Sequence, residues 1–413
     1  MLIRLAYASL LNRRYTALLT LLTIAISVAL LLTVERMRIQ TRNSFASTLS
    51  GTDLIVGART GPVQLLLYSV FRIGDASNNI RYSSYQELAA GPQIAWTIPI
   101  SLGDSHRGFR VLGTTLDYFE HYRYGRAQGL EFAAGTAFAE VHDAVLGAEV
   151  AERLGYQLGS ELVLAHGTGH HDIMTHADQP FRVVGILKRT GTPVDRTVHV
   201  RLDGIEAIHA DWQHGVRVPG SGAGHHDLTP QTLTAVLVGL KNRAAALSIQ
   251  RQINQYTGEP LLAILPGLTL TQLWSLVGVA ESALLIVAGC VVVAGMLGMV
   301  TALVTTLNER RREMAILRSV GARPWQIGAL LLIESTVLTL VGGALGTLLV
   351  VAVLAVLGPW LASQFGLYIS AYAFTAREGL LLLAVLCGGV LAGIIPALLA
   401  YTRSLSDGLT VRI

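Results

Sequence analysis

NERRREMAILRSVGARPW, residues 308–325, decides how the rest of this chain is read. It packs five arginines (Arg310, Arg311, Arg312, Arg318, Arg323) and two glutamates (Glu309, Glu313) into eighteen residues. Apolar runs lie on either side, residues 276–307 and 326–357, each with one acidic residue (Glu281 and Glu334) and no basic one. Lys and Arg beside a span resist translocation, so a short arginine-rich loop between two spans belongs on the cytoplasmic side. Met314, Leu317 and Val320 recur at three-residue spacing and lay an apolar stripe along an otherwise charged helix. Gly321 is placed to end that helix, and Pro324 to open the next at its first turn. A helix of this kind either lies on the membrane surface or offers its stripe to a cytoplasmic partner.

The composition agrees with spans. Of 413 residues 52% are hydrophobic and 14% charged, too apolar for an ordinary soluble protein. The apolar residues gather into four blocks, while residues 35–275 keep soluble character. The net charge of +4 resides mostly in the expected cytoplasmic loops, so it reports orientation and gives no reason to expect nucleic acid as a partner. Cys290 and Cys387 both fall in apolar runs, so no disulfide framework supports the soluble portion.

Arg4, Arg13 and Arg14 precede the uncharged run 15–34, which at about 20 residues is long enough to span. A cleavable signal peptide is the other reading, but Glu35-Arg36-Met37-Arg38 offers no small-residue cleavage site. The run therefore reads as a signal anchor after a cytoplasmic segment 1–14, with residues 35–275 translocated. Residues 276–307 would measure about 48 Å as a helix, well beyond a hydrocarbon core of about 30 Å, and so continue outward as a stalk. Glu281 is then expected near the outer interface, with no need of a buried partner. Residues 326–357 and 379–400 are the third and fourth spans. Between them 358–378 reads as an outer loop containing Pro359, Trp360 and Tyr372, and 401–413 as a cytoplasmic tail. Both termini are expected inside.

In the soluble middle, residues 109–112, 161–164, 181–187, 197–202 and 233–240 read as strands. Residues 148–154, 204–212 and 243–256 read as helices, and the alternation predicts α+β modules. VQLLLYSVFRI, residues 63–73, is strongly apolar but too short to span. It is either a core element or a membrane- or partner-facing helix.

The run ERRREMAILRSVGARPWQI, followed by LLIES and GGALG, resembles the coupling-helix region of the FtsX/MacB/LolC-type ABC transporter permeases. AVLGAEVAERLG, GSELVL and FRVVGIL are similar to the extracytoplasmic domain of the same family. The resemblance implies an α-helical membrane protein with four transmembrane helices. It adds a large α+β periplasmic domain of two subdomains, inserted between the first and second spans. One subdomain would comprise residues 85–118 and 233–256, the other 143–213. It also implies a cytoplasmic ABC ATPase partner carrying ATP and Mg, docked on Glu309, Arg310, Arg312, Glu313, Met314, Leu317, Arg318, Val320 and Gly321. A second permease copy and a bacterial inner-membrane location follow from the same resemblance.

No phosphate-binding G-x-x-x-x-G-K-[ST] occurs, so no nucleotide site is expected in the chain, which reads as a non-catalytic subunit. Gly342 with Gly346, and Gly389 with Gly393, have the small-xxx-small spacing that lets helices approach closely, within one chain or between two copies. Glu334 sits inside a span, where a carboxylate either carries function or pairs with the nearby arginines. All twelve histidines lie between His106 and His226. One cluster comprises His166, His170, His171, Asp172 and His176. The other comprises His225, His226 and Asp227, again in a Gly-rich run. Imidazole and carboxylate in such runs suit zinc, nickel or copper, or are solvated loop residues.

The expected function is ATP-driven conformational work at the periplasmic face on a lipoprotein, peptide or small molecule. Rival readings are metal-linked transport through the histidine runs, a scaffold regulating a cell-wall hydrolase through a periplasmic partner, and a membrane-anchored sensor.

Overall fold

The computed structural model describes residues 13–167, 179–209, 212–213, 216–217, 228–309, 316, 319, 321–365 and 369–403. They form two compact units, residues 1–41, 278–364 and 368–413 in one and 42–277 with 365–367 in the other.

The first unit is built from four helices long and apolar enough to cross a membrane, α1 (Arg14–Thr48), α7 (Pro266–Glu309), α8 (Pro324–Phe365) and α9 (Ala376–Arg403). All four outrun the expected spans. At 44 residues α7 is about 66 Å long, which the stalk expectation anticipates. The outer loop 358–378 is corrected at its start, because α8 runs through Pro359 and Trp360 to Phe365. Proline is tolerated there because an apolar helix can satisfy the freed carbonyl through its neighbours.

The bundle core joins Ile24, Val28, Leu32, Ala288, Val292, Met299, Leu303, Leu338 and Leu354. Close approach depends on small residues. A Cβ on Gly342 would stand 2.7 Å from Ile24 Cγ2, and one on Gly346 2.6 Å from the Ala25 carbonyl oxygen. On α9, Gly389 and Gly393 abut Thr339 and Ser335 of α8 so closely that a Cβ would overlap their hydroxyls. These four glycines serve helix packing within the chain.

The second unit contains one eleven-stranded sheet. Its main members are β1 (Leu54–Ala58), β2 (Ile94–His106), β3 (Phe109–Thr114), β4 (Phe132–Gly135), β5 (Asp143–Leu146), β6 (Phe181–Leu187), β7 (Thr197–Arg201), β8 (Ala235–Leu240) and β9 (Leu261–Ile264), in the spatial order β9-β1-β8-β2-β3-β7-β5-β6-β4. The β3–β7 and β5–β6 pairs are parallel. At thirteen residues β2 organises the rest: Ile94–Ile100 pairs with β8 and Ser101–His106 with β3, across a register shift between Leu102 and Ser105. Residues 233–256 and 143–213, assigned to separate subdomains by resemblance, lie on opposite sides of this strand in one sheet.

Helices α2 (Pro62–Phe71), α3 (Tyr82–Ala89), α4 (Ala148–Leu154), α5 (Leu202–His209) and α6 (Ala246–Asn254) cover the sheet. The apolar stretch 63–73 is a core element: Leu65, Leu66, Tyr68, Val70 and Phe71 of α2 are buried. The helix expected over 204–212 is shifted. It starts at Leu202 and ends at His209, and Trp212 instead pairs with Arg217 in a two-residue strand. Strands β1, β2, β4, β5 and β9 were not expected from the sequence.

The core carries a polar knot of Tyr118, Tyr122 and His199. His199 is fully buried, with Nδ1 3.2 Å from the Val145 carbonyl and its ring 5.1 Å from that of Tyr118. Tyr122 donates to the Thr48 carbonyl at 2.6 Å. Burial pushes the Tyr118 phenol up to about 12. Burial, then the nearby Arg72 cation, lowers His199 from 6.5 to about 3. As pH falls below the ordinary imidazole value, the unfolded chain takes up a proton that the folded chain refuses. His199 therefore favours folding at higher pH and withdraws that support on acidification, by up to about 1.4 kcal/mol per pH unit. Asp195, Glu149 and Glu206, whose carboxyls burial raises, act with the opposite sign. Thermal unfolding of the purified chain is expected to lose stability as pH falls below about 6.5 toward about 3, and His199→Gln to flatten that slope. Identical slopes would assign the pH dependence to other groups.

Candidate functional site

The arginine-rich connection is described in part. Glu309 ends α7, and Ser319 Oγ donates to the Ile316 carbonyl at 2.8 Å. Gly321 has φ +98°, a left-handed conformation that suits glycine and ends a helix. The Arg323 backbone N–H donates to Gln326 Oε1 at 2.8 Å, one half of a capping box around Pro324, the first residue of α8. Arg310, Arg312, Glu313, Met314, Leu317, Arg318 and Val320 lie outside the described residues. So do His170, His171, Asp172, His176, His225 and His226. His166 is in a two-residue strand whose backbone pairs with Asp104 of β2. Glu334 is 3% exposed within α8.

The best-defined charged assembly involves residues that the sequence reading passed over. Just beyond the first apolar run, α1 carries Glu35, Arg36 and Arg38, and the helix continues through them with Glu35 and Arg36 buried. Arg36 grips Glu378 with two nitrogens, Nε to Oε1 at 2.9 Å and Nη2 to Oε2 at 3.1 Å, while Nη1 donates to the Ala371 carbonyl at 2.6 Å. Glu378 lies in the first turn of α9, and its backbone N–H donates to Thr375 Oγ1 at 3.3 Å. The T-x-x-E capping pattern and the favourable end of the helix dipole both hold the carboxylate there. Its guanidinium partner is 2% exposed and Glu378 itself 0%.

A second layer completes the assembly. Arg38 Nε donates to Glu281 of α7 at 3.0 Å, and Arg38 Nη1 lies 3.5 Å from Glu35 Oε2. Arg377 Nε is 2.9 Å from Glu35 Oε1. One helical turn on, Gln40 exchanges two hydrogen bonds with the Ser370 backbone, at 2.7 and 3.2 Å. The expectation that Glu281 needs no buried partner is thereby corrected. Its carboxylate is 12% exposed, and at that burial it requires the arginine three residues after Glu35. A sequence signal existed: three acidic and three basic residues (Glu35, Glu281, Glu378; Arg36, Arg38, Arg377) mark the same ends of three apolar runs.

This geometry can fix the ends of α1, α7 and α9 to one another, and it is electrostatic in kind, with no nucleophile or acid–base pair in it.

Comparison with known proteins identifies the architecture. The MacB-like periplasmic core domain model matches residues 17–256, and the FtsX-like permease C-terminal model matches residues 285–405. The chain belongs to the FtsX/MacB type of ABC transporter permease. It is 26% identical over 249 residues to an uncharacterized ABC transporter permease of Methanocaldococcus jannaschii, covering 57% of this chain and 58% of that one. Over 99 residues it is 33% identical to the macrolide export ATP-binding/permease protein MacB of Nitrosomonas europaea, covering 23% of this chain and 15% of the relative. The chain thus spans less than two thirds of the length of these relatives. The crystal structure of the periplasmic region of MacB from Actinobacillus actinomycetemcomitans aligns with TM-score 0.35 and 11% identity, covering 55% of this chain and 94% of that chain. As an FtsX/MacB-type permease with four spanning helices, the protein is a multi-pass membrane protein.

Removing one partner of the Arg36–Glu378 pair leaves the other charge buried without its counterion. Arg36→Ala is expected to destabilise this permease by about 3–5 kcal/mol, and Arg36→Leu with Glu378→Leu together by much less. Thermal unfolding in detergent measures both, and equal losses for the single and double variants would show that the pair does not act as a unit.

Proposed function

We propose that this permease is the membrane subunit of an ATP-driven complex. In this reading a separate cytoplasmic ATPase docks on the 308–325 connection, and hydrolysis there drives movement of the α/β domain on the other side of the membrane. That domain, inserted between the first and second spans and built as two subdomains, would be periplasmic, with both termini cytoplasmic in a bacterial inner membrane. Two permease copies would form the complex. The work would be done on a lipoprotein, peptide or small molecule at the outer face.

The single observation that carries this reading is the ionic clasp at Arg36, Arg38, Glu281 and Glu378. A permease that transmits motion needs its helices to move as a set, and buried directional pairs between α1, α7 and α9 supply that stiffness where apolar contact alone would let them slide. In this reading hydrolysis is assigned to a separate ATPase, since no G-x-x-x-x-G-K-[ST] occurs in these 413 residues.

Two experiments test the reading. Reporters inserted at Gly258 and fused after Ile413 are expected to report opposite sides of the membrane, and same-side signals would reject the topology. Leu317→Asp places a charge in the apolar stripe. It is expected to abolish ATPase co-purification or to uncouple hydrolysis from function, with membrane insertion unchanged. Normal co-purification together with normal function would remove the stripe as the docking contact.

A further inference from the structure

Strands β3 and β7 lie side by side and run in the same direction, with Val198 opposite Val111 and His199 opposite Leu112. The chain leaves their carboxyl ends toward opposite faces of the sheet. After β3 it enters a five-residue helix, Asp117–His121, whose Tyr118 packs in one core with Leu112 and sets its ring 5.1 Å from that of His199. After β7 it enters α5, whose Ile205 and Ile208 pack in another core with Val111, Val198 and Val200. Successive residues of a strand point to opposite faces, so these two cores lie on the two sides of the sheet. Adjacent parallel strands whose connections part in this way leave a crevice outside their carboxyl ends, and that crevice is where open α/β sheets bind ligands.

A cavity of about 410 Å³ lies there, within the range of about 300–1,000 Å³ that small-molecule sites occupy. It is lined by the last residues of both strands, Thr114 and Arg201. Its walls are apolar: buried Phe138 and Leu202, half-exposed Leu116, and the ring of Tyr82. Of its charged groups, Arg201 is already committed. Nε and Nη2 donate to the two carboxylate oxygens of Asp203 at 2.9 and 2.6 Å, and Nη1 donates to the Ala139 carbonyl. That pair is neutral as a unit, which leaves Asp117. Its Oδ2 accepts from Thr115 Oγ1 at 2.9 Å, a contact that orients the carboxylate without cancelling its charge. Glu120, one turn on, adds a second negative charge beside it.

From these observations we propose that the crevice at the ends of β3 and β7 is a binding site for an organic ammonium ion with an apolar body. The walls take the body, and Asp117 takes the charge through a charge-assisted N–H···O bond. Tyr82 and Phe138 favour the same choice, since an ammonium is attracted to the face of an aromatic ring. A carboxylate or phosphate ligand would meet like charge at Asp117. A second cavity, of about 320 Å³ between α3 and α6, makes no such demand, because the one carboxylate lining it, Glu87, accepts from Tyr256 Oη at 2.6 Å. Binding in the crevice needs no ATPase, so this site stands apart from the ATP-driven reading.

The rival occupant is a divalent metal ion on Asp117, Glu120 and His121, whose ligand atoms lie within 4.8 Å of one another, and the experiment separates the two. The full chain in lipid nanodiscs, without nucleotide or ATPase, is titrated with tryptamine, and with tryptophol and indole-3-propionate as its neutral and anionic counterparts. Binding is read from the ligand by saturation-transfer NMR. Tryptamine is expected to bind saturably with Kd below about 1 mM, tryptophol about tenfold more weakly, and indole-3-propionate not at all. Asp117→Asn keeps the shape of the side chain and removes its charge, and is expected to weaken tryptamine about tenfold while leaving tryptophol unchanged. Leu116→Arg sets a cation at an exposed position of the rim and is expected to weaken tryptamine by a similar factor. Glu87→Gln, in the second cavity, is expected to change nothing. Equal affinity for all three ligands, tryptamine binding undiminished in either crevice variant, or its loss in Glu87→Gln overturns the proposal. Saturable zinc binding that Asp117→Asn abolishes, with no tryptamine binding by the unaltered chain, overturns it in favour of the metal.

Discussion

A guanidinium and a carboxylate enter the apolar interior of a helix bundle only together. Desolvating either ion alone costs several kcal/mol, and attraction offsets that cost where the geometry is good and the remaining donors are used. Arg36 and Glu378 meet both conditions: two parallel N–H···O contacts between them, and a third guanidinium N–H on the Ala371 carbonyl. The pair consequently specifies more than proximity. It sets the rotation of α1, because Arg36 must face inward, and it sets the start of α9, because Glu378 must stay in the first turn where Thr375 caps it. Glu281 then sets α7 through Arg38.

Farther along the helices the physics changes. Contacts at Gly342, Gly346, Gly389 and Gly393 are van der Waals contacts of backbone on side chain, strong in number and without direction. Such a seam holds helices close but permits small shifts along their axes. The charged clasp has no such latitude, since moving one partner by an ångström or two exposes a buried charge. The unit therefore combines a permissive seam with a strict end.

Much of this was legible in the residues. The four spans follow from uncharged runs, and the strand 181–187 and helix 148–154 were read with the bounds that the structure has. Strand β1 was not read because LIVGA is too short to show alternation and is buried on both faces, so it has no polar residues to mark a period. The helix lengths were underestimated because charged residues at 35–38 were taken to end a span, whereas they are inward-facing members of a continuing helix. The charges flanking the runs were visible, but which of them pair in the clasp was illegible for a related reason. Its members are 342 residues apart in the case of Arg36 and Glu378, and pairing at that distance in sequence leaves no local pattern.

The order of strength within the membrane unit bears on how motion can pass through it. A displacement entering at the 308–325 connection acts on the ends of α7 and α8 that flank it. Along α8 it meets α1 at Gly342 and Gly346 and α9 at Ser335 and Thr339, contacts that can slide. Along α7 it meets Arg38 through Glu281, which cannot slide without separating charges. Arg38 and Arg36 are two residues apart on the same helix, so the ion pairs link α7, α1 and α9 to one another. Ion pairs thus join α1, α7 and α9, while α8 meets α1 and α9 through small-residue contacts, a division set by where the charges lie and where the glycines lie.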